Sequence, residues 1–134
     1  MNIVLDTNVF ISGIFFSGPP YKILKAWKNL QIQIVLTQDI LEEYQRVAGL
    51  LAEQFPTIDI LPIINLLSIH GLFVDADRLD APVCEDTDDD KFLECAIASN
   101  VKIIVSGDKH LLRVSGYRGI TVLKPREFVD TYLK

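Results

Sequence analysis

Ile103-Ile104-Val105-Ser106-Gly107-Asp108 is a run of β-branched apolar residues that stops at a Gly-Asp turn. It reads as a short strand buried on both faces, because a half-solvated strand would alternate apolar and polar positions. Asn2-Ile3-Val4-Leu5-Asp6 repeats the pattern near the start of the chain, a strand over 2–6 closed by an acid. Periodicity predicts further strands over 32–36, at Phe73-Val74 and over 120–123, with 102–106 around the first run. Helices alternate with them over 9–16 (closed by Ser17-Gly18-Pro19-Pro20), 21–30, 38–52, 58–69, 88–99, 108–113 and 125–133. Thr37 is suited to cap the helix at 38, and His70-Gly71 to stop the helix over 58–69. The alternation indicates an α/β fold with a central, mainly parallel sheet. Neither a repeat nor a linker divides the sequence, so residues 1–134 are expected to form one domain.

Apolar residues make up 49% of the chain, which suits strands covered on both faces or an apolar patch kept for a partner. No apolar run approaches the ~20 residues that span a bilayer. The N-terminus lacks the basic region and long apolar stretch of a secretory signal, so a cytoplasmic protein without a membrane partner is expected. Cys84 and Cys95 fall in no metal-ligand spacing and read as reduced thiols. The net charge of −5 argues against broad electrostatic capture of nucleic acid. It leaves room for a nucleic-acid substrate, because an acidic active site contributes to the total and bound cations offset it. Lys22, Lys25 and Lys28 recur at helical spacing, for which a solvated helix face is the simpler reading.

In an open parallel sheet the functional crevice lies outside the carboxyl ends of the strands. Asp6 and Asp108 both occupy that position. On the helix over 38–52, Glu43 lies about 40° around from Val47, at the margin of the buried stripe, whereas Glu42 points to solvent. Asp90 ends the run Glu85-Asp86-Thr87-Asp88-Asp89-Asp90 and borders the face that Leu93 and Ile97 bury. Each acid has an ordinary explanation: a cap at Asp6 (or at Thr7 or Asn8), a turn at Asp108, a solvated charge at Glu43. The run at 86–90 could complement a helix N-terminus, but an acid there contributes only about 0.3–1 kcal/mol. Four mutually repelling aspartates exceed what capping needs. Brought together, Asp6, Glu43, Asp90 and Asp108 form a cluster that needs a cation, and the all-oxygen set suits Mg²⁺ or Mn²⁺ held against a phosphate. Asp88 and Asp89, nearer the cap, would assist through water. Zinc-like spacing of Cys or His is absent, and His70 and His110 stand apart from any nucleophile motif.

Leu5-Asp6-Thr7-Asn8, Leu41-Glu42-Glu43-Tyr44-Gln45-Arg46-Val47, Asp88-Asp89-Asp90-Lys91-Phe92-Leu93 and Ser106-Gly107-Asp108-Lys109-His110-Leu111-Leu112 resemble the successive motifs of PIN-domain proteins. The likeness is greatest to the VapC-like toxins of toxin–antitoxin systems. It runs over nearly the whole chain, with 57–69 the least similar part. It implies a three-layer α/β/α sandwich and a Mg²⁺- or Mn²⁺-dependent endoribonuclease. The family acids fall on Asp6, Glu43, Asp90 and Asp108 as catalytic and metal-binding residues, with Asp88 where relatives also carry an acid. Asn8 and Ser106 match the polar residues behind those acids; Ser106 stands where the family often has Thr and keeps the hydroxyl. The resemblance further implies an RNA substrate, and the high apolar content points to a protein interface, either a homodimer or higher assembly or an antitoxin segment laid across the active-site groove. Lys109 and Arg113, which flank the last acid, are the expected phosphate contacts. Two other readings compete. A haloacid-dehalogenase-like phosphatase would use Asp6 as nucleophile, but wants a second Asp where Asn8 stands. A non-catalytic PIN-like binding module would have no need of all four acids. Whether one or two ions act depends on distances that only a structure provides.

Overall fold

The computed structural model describes residues 1–133. Its strands are β1 (Asn2–Leu5), β2 (Gln33–Leu36), β3 (Leu72–Phe73), β4 (Ile103–Val105) and β5 (Thr121–Leu123). The helices are α1 (Thr7–Phe15), α2 (Pro19–Lys28), α3 (Gln38–Ala52), α4 (Leu61–His70), α5 (Asp90–Ser99), α6 (Lys109–Leu112) and α7 (Pro125–Tyr132). All strand pairs are parallel, in the order β3-β2-β1-β4-β5. With helices on both faces the architecture is the expected α/β/α sandwich. Among the described residues no helix is long and apolar enough to cross a membrane.

The central strand explains the unbroken apolar runs. Ile3, Val4 and Leu5 are each fully buried, as are Ile104 and Val105 of β4, because α5 packs across β1, β2 and β4 while other helices close the opposite face. The register pairs Leu5 with Val105, so the residues after each strand emerge side by side at the carboxyl rim. α1 and α3 are locked beneath that rim by Phe10 and Tyr44, whose rings stack at 4.3 Å between centroids and 10° between planes. The Tyr44 hydroxyl donates to the Leu5 carbonyl from a fully buried position. Tyr44→Phe therefore leaves that carbonyl without its side-chain donor and is expected to lower stability by about 1 kcal/mol in denaturant melts. An unchanged midpoint would contradict the contact.

Several boundaries moved for identifiable reasons. Pro19, expected to close α1, opens α2 instead, since a proline's missing N–H costs nothing at the first helical position. Thr37 caps α3 as expected, its hydroxyl accepting from the Ile40 N–H at 3.2 Å. α4 begins three residues later than periodicity indicates, at Leu61, whose N–H donates to Asp59 Oδ1 at 3.0 Å. Gly71 ends α4, yet its φ of −64° is ordinary. Close approach demands the glycine: a Cβ there would lie 2.6 Å from the Leu67 carbonyl and 2.8 Å from Leu36. The helix expected over 88–99 divides into a 3₁₀ turn, Thr87–Asp89, followed by α5. That division decides which aspartate faces the rim.

Candidate active site

Asp6 leaves β1 directly beside the end of β4, its N–H donating to the Val105 carbonyl at 3.0 Å. It is the N-cap residue of α1, but its carboxylate makes no cap hydrogen bond, so capping does not account for it. Instead Oδ2 accepts from the Ser106 hydroxyl at 2.8 Å. Ser106 is fully buried and its oxygen also accepts the Asp108 N–H at 2.9 Å. One hydroxyl thus ties the two strand-end acids together. Asp108 caps α6, with Oδ1 accepting the His110 N–H at 2.7 Å. Burial pushes the Asp6 carboxyl up to about 6; the Ser106 hydrogen bond opposes this, and the charges of Asp108 and Glu43 add to it.

Glu43 turns into the cleft, its side chain only 13% exposed. Both oxygens are engaged: the Thr7 hydroxyl donates to Oε2, and the Lys91 ammonium donates to Oε1 at 2.8 Å. Lys91 also reaches Asp88 Oδ1 at 3.2 Å. Burial alone would lower the Lys91 pKa, but the hydrogen bonds and charges of Glu43 and Asp88 outweigh it and hold the group above its ordinary value.

The acids opening α5 are arranged differently from the expectation. Asp90 is buried and turns back to the preceding loop, where Oδ1 accepts the Cys84 N–H at 2.7 Å and Oδ2 the Val83 N–H at 3.1 Å. It borders the site but has both oxygens occupied by backbone. Asp89, expected only to assist through water, lies half-buried one residue earlier, and its Oδ2 is buried without a hydrogen-bond partner. Burial pushes its carboxyl up to about 7, with the charges of Asp108, Asp6, Asp86 and Asp88 adding in that order. Of these two neighbours, Asp89 is the one with a buried oxygen lacking a hydrogen-bond partner, while both oxygens of Asp90 accept backbone N–H groups. Asp88 is exposed and paired with Lys91.

The other expected contacts are spread around the rim. Asn8 is exposed on the first turn of α1, and Lys109 is exposed at the start of α6. Arg113 is exposed and held to Glu85 at 2.9 Å; His110 Nδ1 approaches the same carboxylate at 3.5 Å. His70 ends α4, just ahead of the edge strand β3 and so at the amino side of the parallel sheet, away from the carboxyl rim. Cys84 and Cys95 are free, buried thiols, both pushed up to about 12, chiefly by burial. Thr7, Asp89 and Lys91 are the residues that sequence reasoning undervalued. Only the position of Thr7 beside Asp6, and of the other two within the Asp86–Lys91 run, hinted at them.

Among the described residues no group of three or more carboxylate, imidazole or thiolate side chains is drawn together closely enough to hold a metal ion as it stands. The donors nevertheless fit a hard divalent cation. Three carboxylates crowd one another at the rim, two with raised pKa values, and one buried oxygen lacks a partner. Mg²⁺ typically takes one or two carboxylates directly and retains waters, so such an ion needs no all-protein cage.

The acids gather at the carboxyl rim of the parallel sheet, where α/β folds of this kind have their functional crevice, and comparison with known proteins gives the chain a family. The chain belongs to the PIN-domain family, a nuclease fold whose members generally act on nucleic acid: the family model described as PIN domain matches residues 2–110. The chain is also similar to an uncharacterized protein of Methanocaldococcus jannaschii, MJ1680, at 30% identity over 146 aligned positions covering 100% of this chain and 93% of that protein. No solved structure gives a significant match.

Proposed function

We propose that this PIN-domain protein is an endoribonuclease that hydrolyses RNA phosphodiester bonds with Mg²⁺ or Mn²⁺ held by Asp6, Asp89 and Asp108. The observation that carries the proposal is the unpartnered Asp89 oxygen facing two further carboxylates, an excess of negative charge that the protein's own groups leave unneutralised. Asp6, Asp89 and Asp108 would hold the ion, which would supply Lewis-acid charge against the phosphate and a more acidic water; hydrolysis by such water would leave a 5′-phosphate and a 3′-hydroxyl. Ser106 fixes the orientation of Asp6 through a 2.8 Å hydrogen bond. Glu43 stands across the cleft, held by Lys91, and Asp90 anchors the preceding loop through the Val83 and Cys84 N–H groups. Lys109, exposed beside Asp108, is free to contact phosphate, whereas Arg113 would first release Glu85.

A toxin role, with an antitoxin segment or a second copy as protein partner, belongs to the same proposal, as do a single domain over 1–134 and a cytoplasmic site of action. Exposed Leu30, Leu61 and Ile69 support an apolar protein contact. Incubating the protein with a mixed RNA pool and Mn²⁺ tests the activity. Cleavage is expected to stop with EDTA, to return with excess Mn²⁺, and to be lost in Asp6→Asn and Asp108→Asn. Cleavage that persists in EDTA would refute the metal-dependent reading.

A further inference from the structure

The carboxylates at the rim fall into two halves with different charge balance. On one side, towards Asp6 and Asp108, a buried oxygen of Asp89 is left without a hydrogen-bond partner. On the other side both oxygens of Glu43 already have a donor, Thr7 on Oε2 and the Lys91 ammonium on Oε1. Lys91 leaves the first turn of α5 and crosses to α3, its side chain only 18% exposed, rather than extending into solvent as a helix-surface lysine does. It bridges Glu43 at 2.8 Å and Asp88 at 3.2 Å, so one ammonium spans two carboxylates from different elements.

We propose that the Lys91 ammonium is a built-in cation occupying the Glu43 side of the cleft, so that the site takes one divalent ion rather than two. The inference rests on the metal reading above and adds the number of ions and the reason for it. A second divalent ion at Glu43 would have to displace an ammonium that already supplies hydrogen-bonded charge at contact distance, or sit beside it against direct repulsion. Lys91 is in this sense a positioning residue. It holds Glu43 in place and keeps that carboxylate from acting as a ligand. The ion is left to the Asp6, Asp89 and Asp108 side, where no lysine or arginine forms an ion pair among the described residues.

Counting bound Mn²⁺ tests this without any turnover. Free Mn²⁺ followed by electron paramagnetic resonance during titration gives ions per chain for wild type, Lys91→Gln, Lys91→Arg and Lys91→Gln/Glu43→Gln. Circular dichroism melts confirm that each variant is folded. The expected result is one ion for wild type, two for Lys91→Gln, one for Lys91→Arg, and a return to one in the double variant, which has lost the second ligand. The added ion in Lys91→Gln is also expected to show the broadening of a coupled manganese pair. Two ions on wild type, or one on a folded Lys91→Gln, would overturn the proposal while leaving the metal site standing. No ion on wild type would overturn the metal reading and this inference together. Two ions on wild type would overturn the proposal whether or not Lys91→Gln folds.

Discussion

Asp89→Asn is expected to reduce RNA cleavage by about a hundredfold or more and, at the same time, to raise the melting temperature of the metal-free protein at pH 8. The two effects have one cause. Folding brings the Asp89 carboxyl to a half-buried position beside Asp108 and Asp6, which raises its pKa to about 7 from an ordinary value of 3.8. A carboxyl whose folded pKa is raised binds protons in the native state that the unfolded state has already released. It therefore costs no stability below pH 3.8, costs progressively more as pH rises toward 7, and imposes its full penalty above that. Asp6, raised to about 6, acts in the same direction. The metal-free wild type should therefore lose thermal stability between pH 5 and pH 8 and regain it when Mn²⁺ is added. The Asp89→Asn substitution would flatten the pH dependence and cancel most of the gain from Mn²⁺, which melts at several pH values, with and without the ion, would reveal. A metal-free stability that rises with pH across this window would contradict the assignment.

Asp90→Ala is expected to act in the opposite sense, unfolding the protein more readily at every pH near neutrality. Its carboxylate receives two backbone N–H groups, Cys84 at 2.7 Å and Val83 at 3.1 Å, in a buried setting. Removing the acceptor leaves both donors unpaired, at a cost of about 1–3 kcal/mol each. The expected result is a fall of roughly 10 °C in the melting midpoint. Asp90→Asn retains a carbonyl acceptor and should recover part of that loss. Mn²⁺ stoichiometry in folded Asp90→Asn should match wild type. Loss of the ion there, together with its retention in Asp89→Asn, would reverse the roles given to these two neighbours.

The residues that sequence reasoning placed well are those whose environment is set by local pattern. Strands covered on both faces must be continuously apolar, so β1 and β4 were visible together with the acids at their ends. The angular position of Glu43 on α3 followed from helical geometry, because Val47 and Tyr44, about 40° and 100° around from it on the same side, mark the buried stripe that it borders. Thr37 had a local capping signal. Asp89 and Asp90 were not separable in this way. The chain enters α5 through a 3₁₀ turn, Thr87–Asp89, whose rotation per residue differs from that of the helix after it. The partner that turns Asp90 aside is the backbone of Val83 and Cys84, in a segment with no periodicity to read. Lys91 was hidden for a similar reason: its partner Glu43 lies 48 residues away on another helix, and charge at one position says nothing about which charge folds against it.

Crystals soaked in Mn²⁺ and measured at the manganese absorption edge would locate the ion directly. The expected anomalous map contains one peak per chain, contacted by Asp6, Asp89 and Asp108 or by waters they hold, with the Lys91–Glu43 ion pair intact. A peak bound to Glu43 in place of Lys91, or no peak at the rim of a protein that still cleaves RNA, would contradict the account.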